Sequence, residues 1–382
     1  MRFDYLIVGA GFSGATLAER IASQLDKRVL LLDRRDHIGG DAHDYYDEDG
    51  VLVHRYGPHI FHTNDARVWN YLSQFTEWRP YHHRVLGVVE GKKVPVPFNL
   101  NSLHALFARE QAARLETELL NQYGLGAKVP ILKLRQSSSR EVAALAEYVY
   151  EKVFRGYTVK QWGLTPEQLS PSVTARVPVV LSRDDRYFQD RYQAMPRLGY
   201  SALFQRMLAH PNIKLLLNTD YREVVGEVKF ERLIYTGPID AFFDYAQGRL
   251  PYRSLRFQRA HHGRARVQEA AVINYPNEHA FTRIVEFKHM TGQRATGSTT
   301  FTEYPQEYVE GENEPYYPVP REENAEIHAR YEAEAAKLPS VVFAGRLADY
   351  RYYNMDQAVA RALLVFEKDI VGVEEYACAA HA

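Results

Sequence analysis

The chain changes its hydrophobic period several times, and each change predicts an element. Residues 4–9 (DYLIVG) form a short apolar run ending in glycine. Leu17, Ala18, Ile21 and Leu25 then recur at helical spacing, so a strand, a tight turn and a helix are expected. Residues 28–33 (RVLLLD) are too few for a helix and continuous enough for a strand buried on both faces, which completes a βαβ unit. From 101 to 157 the period is helical: Ser102 reads as a cap, Ser138 with Glu141 reads as a capping box, and Val142, Leu145, Ala146, Val149 and Val153 share one face. Between about 250 and 305, short alternating runs at 252–258, 270–275, 281–290 and 299–304 predict an antiparallel sheet. A late strand at 341–345 turns at glycine, and Val359, Leu363, Phe366 and Ile370 mark a closing helix with a frayed segment beyond it.

Composition narrows this little. At 382 residues with 46% apolar content, the chain can pack two or three units. With 47 Lys+Arg against 48 Asp+Glu, no global field recruits nucleic acid or an anionic membrane. The one cysteine, Cys378, excludes an internal disulfide framework and fits a reducing, cytoplasmic setting. No apolar run reaches membrane-spanning length or forms a signal core before the first strand. His59 and His62 stand in H-x-x-H spacing, but no cysteine or acidic string completes a ligand set, so no metal is expected.

The chemistry starts at Gly9-Ala10-Gly11-Phe12-Ser13-Gly14, a G-x-G-x-x-G between the first strand and helix. In that context Gly9 serves the turn, Gly11 admits a pyrophosphate, and Gly14 lets helix and strand pack closely; Asp33 closes the second strand where an acid can meet a ribose. This much suits NAD or FAD. Three further features favour FAD: Gly39-Gly40 following Arg34 and Arg35, the Gly345-Arg346 pair after the late strand, and a closing helix whose amino end at Asn354-Met355-Asp356 faces a reduced, negative ring.

Five strings then carry a resemblance over nearly the whole chain: 56–63 (YGPHIFHT), 156–162 (GYTVKQW), 235–240 (YTGPID), 314–319 (EPYYPV) and 345–350 (GRLADY). The chain resembles the bacterial UDP-galactopyranose mutases, departing at Pro58, where alanine is more usual, and at Asn354, where aspartate is. The resemblance implies an α/β fold: a split Rossmann-like FAD-binding domain (1–78, 195–245 and 336–370), a helical insert (102–170) followed by a mobile lid, and an antiparallel β-sheet domain (79–101, 171–194 and 246–335). It also implies a cytoplasmic homodimer, an external flavin reductant and a role in making galactofuranose for cell-wall polysaccharide.

The implied reaction interconverts UDP-galactopyranose and UDP-galactofuranose without net redox, with N5 of reduced flavin attacking the anomeric carbon as UDP leaves. Arg176, on the lid, and Arg283 are then the cations for the diphosphate. Read from the sequence alone, Arg283 lies in an alternating strand among Phe281, Val285 and Phe287, and needs an anion or a carboxylate partner. Tyr157, Tyr187, Tyr317 and Tyr352 match phosphate-holding positions; Phe154 and Trp162 line the uridine end, and Arg253 and Asn274 complete the substrate set. The loop of His59, Ile60 and His62 passes the flavin, where a histidine tunes N5, moves protons or simply packs. A flavin oxidoreductase of amine-oxidase type is the alternative, because the cofactor motifs are common to both.

Overall fold

A computed structural model describes residues 2–174 and 176–372; Cys378 and most of the segment expected to fray lie outside the described residues. The opening strand Tyr5–Val8 is central in a five-stranded sheet. It pairs in parallel with Val29–Leu32 on one side and Arg232–Tyr235 on the other; Ile213–Leu216 and Val341–Phe343 form the edges. The helix Phe12–Leu25 buries Leu17, Ala18 and Ile21 completely against this sheet and the closing helix Met355–Val365. Burying a side chain the size of Leu17 or Ile21 stabilises by roughly 1.5–3 kcal/mol, so the apolar spacing explains the βαβ unit. The closing helix continues as a wider, π-type turn over Phe366–Val371.

The second body is a seven-stranded sheet. Its order is Tyr317–Pro318, Tyr252–His262, Ser298–Glu307, Arg283–Glu286, Val272–Asn274, Val85–Val89 and Lys92–Val96. One pairing, Val272–Asn274 with Val85–Val89, is parallel, and the other pairings are antiparallel. The alternating run at 281–290 is strand only over Arg283–Glu286, because Lys288–Thr291 turns into a short helix.

The third body is helical, with Leu115, Leu119, Val142, Leu145 and Val149 in one core. Two caps differ from the sequence expectation. Asn99 caps the helix Leu100–Leu106, and Ser102 is its partner in the box: the Ser102 N–H donates to Asn99 Oδ1 at 3.0 Å. Ser139, not Ser138, caps Arg140–Val149 by accepting from the Val142 N–H. In both cases the capping side chain is the one three residues before the amide it satisfies, a one-turn distance that residue type alone does not specify. A π-type segment, Tyr150–Arg155, joins this helix to Gly156–Trp162; its extra residue per turn shifts the register in which Phe154 and Tyr157 are presented. Among the described residues no helix is long and apolar enough to cross a membrane.

The strand carrying Arg283 is anchored at its far end by Glu286, which is fully buried. Its carboxylate accepts from the N–H groups of Val267 (3.0 Å) and Gln268 (2.7 Å) and the hydroxyl of Ser298 (2.6 Å). Burial pushes its pKa up, yet His289, Ser298 and those amides outweigh it and hold the group near 2. Glu286→Ala leaves the buried Ser298 hydroxyl and two half-buried amides without their acceptor, so urea unfolding should record a loss of about 3 kcal/mol. A loss below measurement error would show that the loop is not tied down through this carboxylate.

Candidate active-site cleft

The three bodies enclose a cleft of about 1390 Å³. At one end it is a dinucleotide cradle built by close backbone approach. A Cβ on Gly14 would sit 1.9 Å from the Gly9 carbonyl oxygen, and one on Gly40 would sit 2.9 Å from the Gly11 Cα. Only glycine lets the loops at 9–14 and 39–40 meet this way. Gly9, Gly11, Phe12, Ser13, Asp33, Gly39 and Gly40 line the cleft, while Gly14 lies behind it against Gly9. Asp33 accepts the Ala10 N–H at 2.8 Å and the Arg35 N–H at 2.9 Å, which ties the two loops to one strand end. Ile60, Gly345, Asn354 and Met355 also line the cleft; Asp356 does not, and its Oδ1 is buried without a partner among the described residues. The cradle, the two helix amino ends and the volume of the cleft fit a flavin dinucleotide.

The cations here are paired in advance. Arg34 meets Glu314 at 2.6 Å, Arg35 meets both Glu314 (2.8 Å) and Asp41 (3.0 Å), and Arg346 is bonded to Asp41. Burial alone would raise the Asp41 pKa, but Arg35 and Arg346 outweigh it and keep the carboxylate ionised. Arg346, expected on a pyrophosphate, is therefore held by an acid within reach of the same space.

At the other end the sheet wall supplies a row of polar side chains. Cross-strand register puts Asn274 beside Arg283 and Arg283 beside Glu303. The Arg283 Nη2 lies 2.8 Å and its Nε 2.9 Å from Glu303 Oε2, and Glu303 is fully buried. Burial works against the Arg283 charge, but Glu303 and the rings of Tyr157 and Tyr317 more than offset it, and its pKa rises above the ordinary guanidinium value. Asn274 Oδ1 and Glu303 Oε1 have no partner among the described residues, so this row keeps unused hydrogen-bonding capacity.

Near the row, Trp162, Tyr317 and Tyr352 form an aromatic cluster, with Tyr317 and Tyr352 ring centres 5.0 Å apart. Phe154, Tyr157 and Tyr187 line the same end. Burial pushes the hydroxyls of Tyr157, Tyr187 and Tyr317 above the usual phenol range, so all three remain O–H donors. Arg176 donates to the Tyr352 carbonyl at 2.8 Å and to Asn354 Oδ1, with its guanidinium 3.9 Å from the Tyr352 ring centre. Arg253 does not line the cleft. It donates to the carbonyls of Gln161 (2.9 Å) and Lys160 (3.3 Å), holding the end of the helix that carries Trp162.

His59 and His62 both line the cleft but differ in setting. The His59 backbone N–H donates to His54 Nδ1 at 3.0 Å, and its own Nδ1 lies 2.9 Å from the Gly57 carbonyl. His62 Nδ1 is 2.9 Å from Asp190 Oδ2, and its ring stacks on Phe188 with centres 3.6 Å apart. Asp41 and Asp190, which line the cleft, and Glu303, which is buried behind Arg283, are residues that sequence reasoning misses. For Glu303 the signal is a strand register, and for Asp190 it is a contact across 128 positions.

A family model described as UDP-galactopyranose mutase matches residues 152–352, and one described as an NAD(P)-binding Rossmann-like domain matches 7–75. The chain is 37% identical over 364 residues to a protein of Klebsiella pneumoniae named "Probable UDP-galactopyranose mutase", covering 94% of this chain and 93% of the relative. It is 34% identical to the dTDP-fucopyranose mutase of Escherichia coli, over 94% and 96%. Among solved structures, reduced UDP-galactopyranose mutase superposes with a TM-score of 0.75 at 17% identity, covering 97% and 95%. Cyclohexylamine oxidase of Brevibacterium oxydans does so with 0.59 at 15%, covering 98% and 100%. These two structural likenesses show the fold alone.

The buried histidines give this region a pH dependence. Burial lowers His54 and His83 to about 3, with Arg283 and His62 adding to it for His83, and burial lowers His43 and His59 to about 4 against the opposing pull of Asp44 and Asp41. Above about pH 6.5 these rings are neutral folded and unfolded, so their contribution is fully present. As the pH falls below 6.5 the unfolded chain takes up protons that the folded chain refuses, and stability declines until the folded values are reached. The melting temperature should fall between pH 6.5 and 5, before most carboxylates titrate. A constant melting temperature over that interval would mean that the rings charge freely in the fold.

Proposed function

The chain belongs to the UDP-galactopyranose mutase family, and we propose that its cleft holds FAD and interconverts UDP-galactopyranose and UDP-galactofuranose, the reading carried by Arg283 in its row between Asn274 and Glu303. Bound and reduced, the flavin supplies the nucleophile for the anomeric carbon, and no net electrons move.

The residues of the chain manage the leaving diphosphate and the protons. Glu303 fixes one edge of the Arg283 fork, leaving Nη1 for a phosphate oxygen; a fork already aimed costs no reorganisation when charge develops. The hydroxyls of Tyr157, Tyr187 and Tyr317 add neutral donors, so the diphosphate is held without being trapped by excess positive charge. Phe154 and Trp162 offer apolar faces to the base. Arg176 adds a second cation from the segment between Pro171–Thr174 and Val179–Val180, where closure excludes water. With Nδ1–H given to Asp190, His62 keeps the lone pair of Nε2 for a proton that moves as the sugar ring opens and recloses. The reading extends to a cytoplasmic homodimer, reduced by an external donor, whose product serves cell-wall polysaccharide; the family resemblance supports these parts.

The amine-oxidase alternative has the fold in its favour but not the wall. A substrate amine is cationic, and Arg176 and Arg283 repel it. The dTDP-fucopyranose relative makes the nucleotide-sugar itself an experimental variable.

The purified protein should be yellow and should convert UDP-galactofuranose only after flavin reduction, consuming no stoichiometric reductant. Equal activity of the oxidised form would overturn the assignment. Faster conversion of dTDP-fucofuranose would reassign the substrate. Arg283→Ala should retain FAD and lose roughly 10²-fold or more in turnover, as when a charge-stabilising donor is removed; unchanged turnover would take Arg283 out of the site.

A further inference from the structure

Four cations of the cleft, Arg34, Arg35, Arg283 and Arg346, are each held by a carboxylate. Arg176 is held differently. Its Nη1 donates to a backbone carbonyl, that of Tyr352, at 2.8 Å; its Nη2 donates to the amide oxygen of Asn354; and its face lies over the Tyr352 ring. No ion pair within 4.0 Å involves Arg176 among the described residues. Both acceptors and the ring are neutral, so the guanidinium is positioned while its charge stays uncompensated. Asn354 also precedes the helix Met355–Val365, and its backbone N–H donates to Gln357 at 2.9 Å. The positive amino end of that helix and the free charge of Arg176 therefore act on the same side of the cleft.

We propose that Asn354 is a positioning residue for Arg176: its neutral amide parks the guanidinium on the cleft wall without neutralising it, and so sets the affinity for the diphosphate. The proposal rests on the reading that Arg176 meets that diphosphate. An aspartate in the same place has nearly the same shape, accepts the same hydrogen bond and is favoured at a helix amino end. It differs in supplying a competing charge. The substrate must then break an ion pair to recruit Arg176, where with asparagine it exchanges one neutral acceptor for a better one.

The test is UDP binding to the oxidised flavoprotein, followed by tryptophan fluorescence, in four proteins: unaltered, Asn354→Asp, Arg176→Ala and the double variant. Asn354→Asp should weaken UDP binding about five- to tenfold at low salt, as expected of a partly screened pair, and by less at high salt. In the Arg176→Ala background the same change should have no effect, because the interaction it alters is gone. Asn354→Ser, which stays neutral and can still cap the helix but is too short to hold the guanidinium, should weaken UDP binding with little dependence on salt, and that loss too should vanish in the Arg176→Ala background. Unaltered UDP binding by Asn354→Asp, or an equal loss in both backgrounds, overturns the proposal, the second by showing that the helix cap and not Arg176 carries the effect. If Arg176→Ala itself binds UDP normally, the reading of Arg176 as a diphosphate ligand fails, and this proposal with it.

Discussion

A buried carboxylate that must have a cation fixes the geometry of the cleft. Glu303 is fully enclosed within the seven-stranded sheet, where Arg283 meets it with two bonds. Breaking such a pair is far more costly than forming it is rewarding, so the arrangement constrains position more than it adds stability. Asp41 does the same at the other end: it accepts from Arg35 and Arg346, which lie far apart in the chain. The cations thus have fixed places before any ligand arrives, and that preorganisation makes them useful against charge that appears only as a bond breaks.

Around these pairs the cleft carries a set of neutral side chains. The tyrosine hydroxyls stay protonated and the buried histidines uncharged because removing water penalises their ionised forms. On the proposed reading, a diphosphate that must leave and return would be served by this division: a few cations to stabilise it at departure, with uncharged donors and aromatic faces to keep it within reach.

Much of this was legible in the sequence where the governing interaction is local. The glycine pattern at 9–14 and the apolar spacing of Leu17 and Ile21 specify strand, turn and helix, because each residue acts within one turn of its neighbours. The caps were only half legible: Asn99, Ser102, Ser138 and Ser139 are all competent cap residues, and which one meets the first free amide depends on where the incoming chain turns. Arg253 illustrates a different limit. Its residue type suits an anion, but the strand it occupies turns it toward the carbonyls ending the Trp162 helix. Glu303 and Asp190 acquire their roles through partners 20 and 128 positions away, and no local period encodes a register or a distant contact.

The shared fold with flavin amine oxidases sharpens what the cleft contributes. A cradle made from the two glycine loops and the amino end of the closing helix can present a flavin to many substrates, and it says nothing about which. Discrimination has to come from the wall facing it. There the Asn274, Arg283 and Glu303 row offers a fork to an anion, and Arg176 adds a charge that neutral anchors leave available. An amine approaching this wall loses hydration and gains repulsion; a nucleotide diphosphate loses hydration and gains charge-assisted hydrogen bonds. Between UDP-galactose and dTDP-fucose the diphosphate is common to both, so these cations cannot separate them. That choice falls to the contacts around the base and the sixth carbon of the sugar, where a missing hydroxyl is penalised only if a polar group of the site is left without its partner.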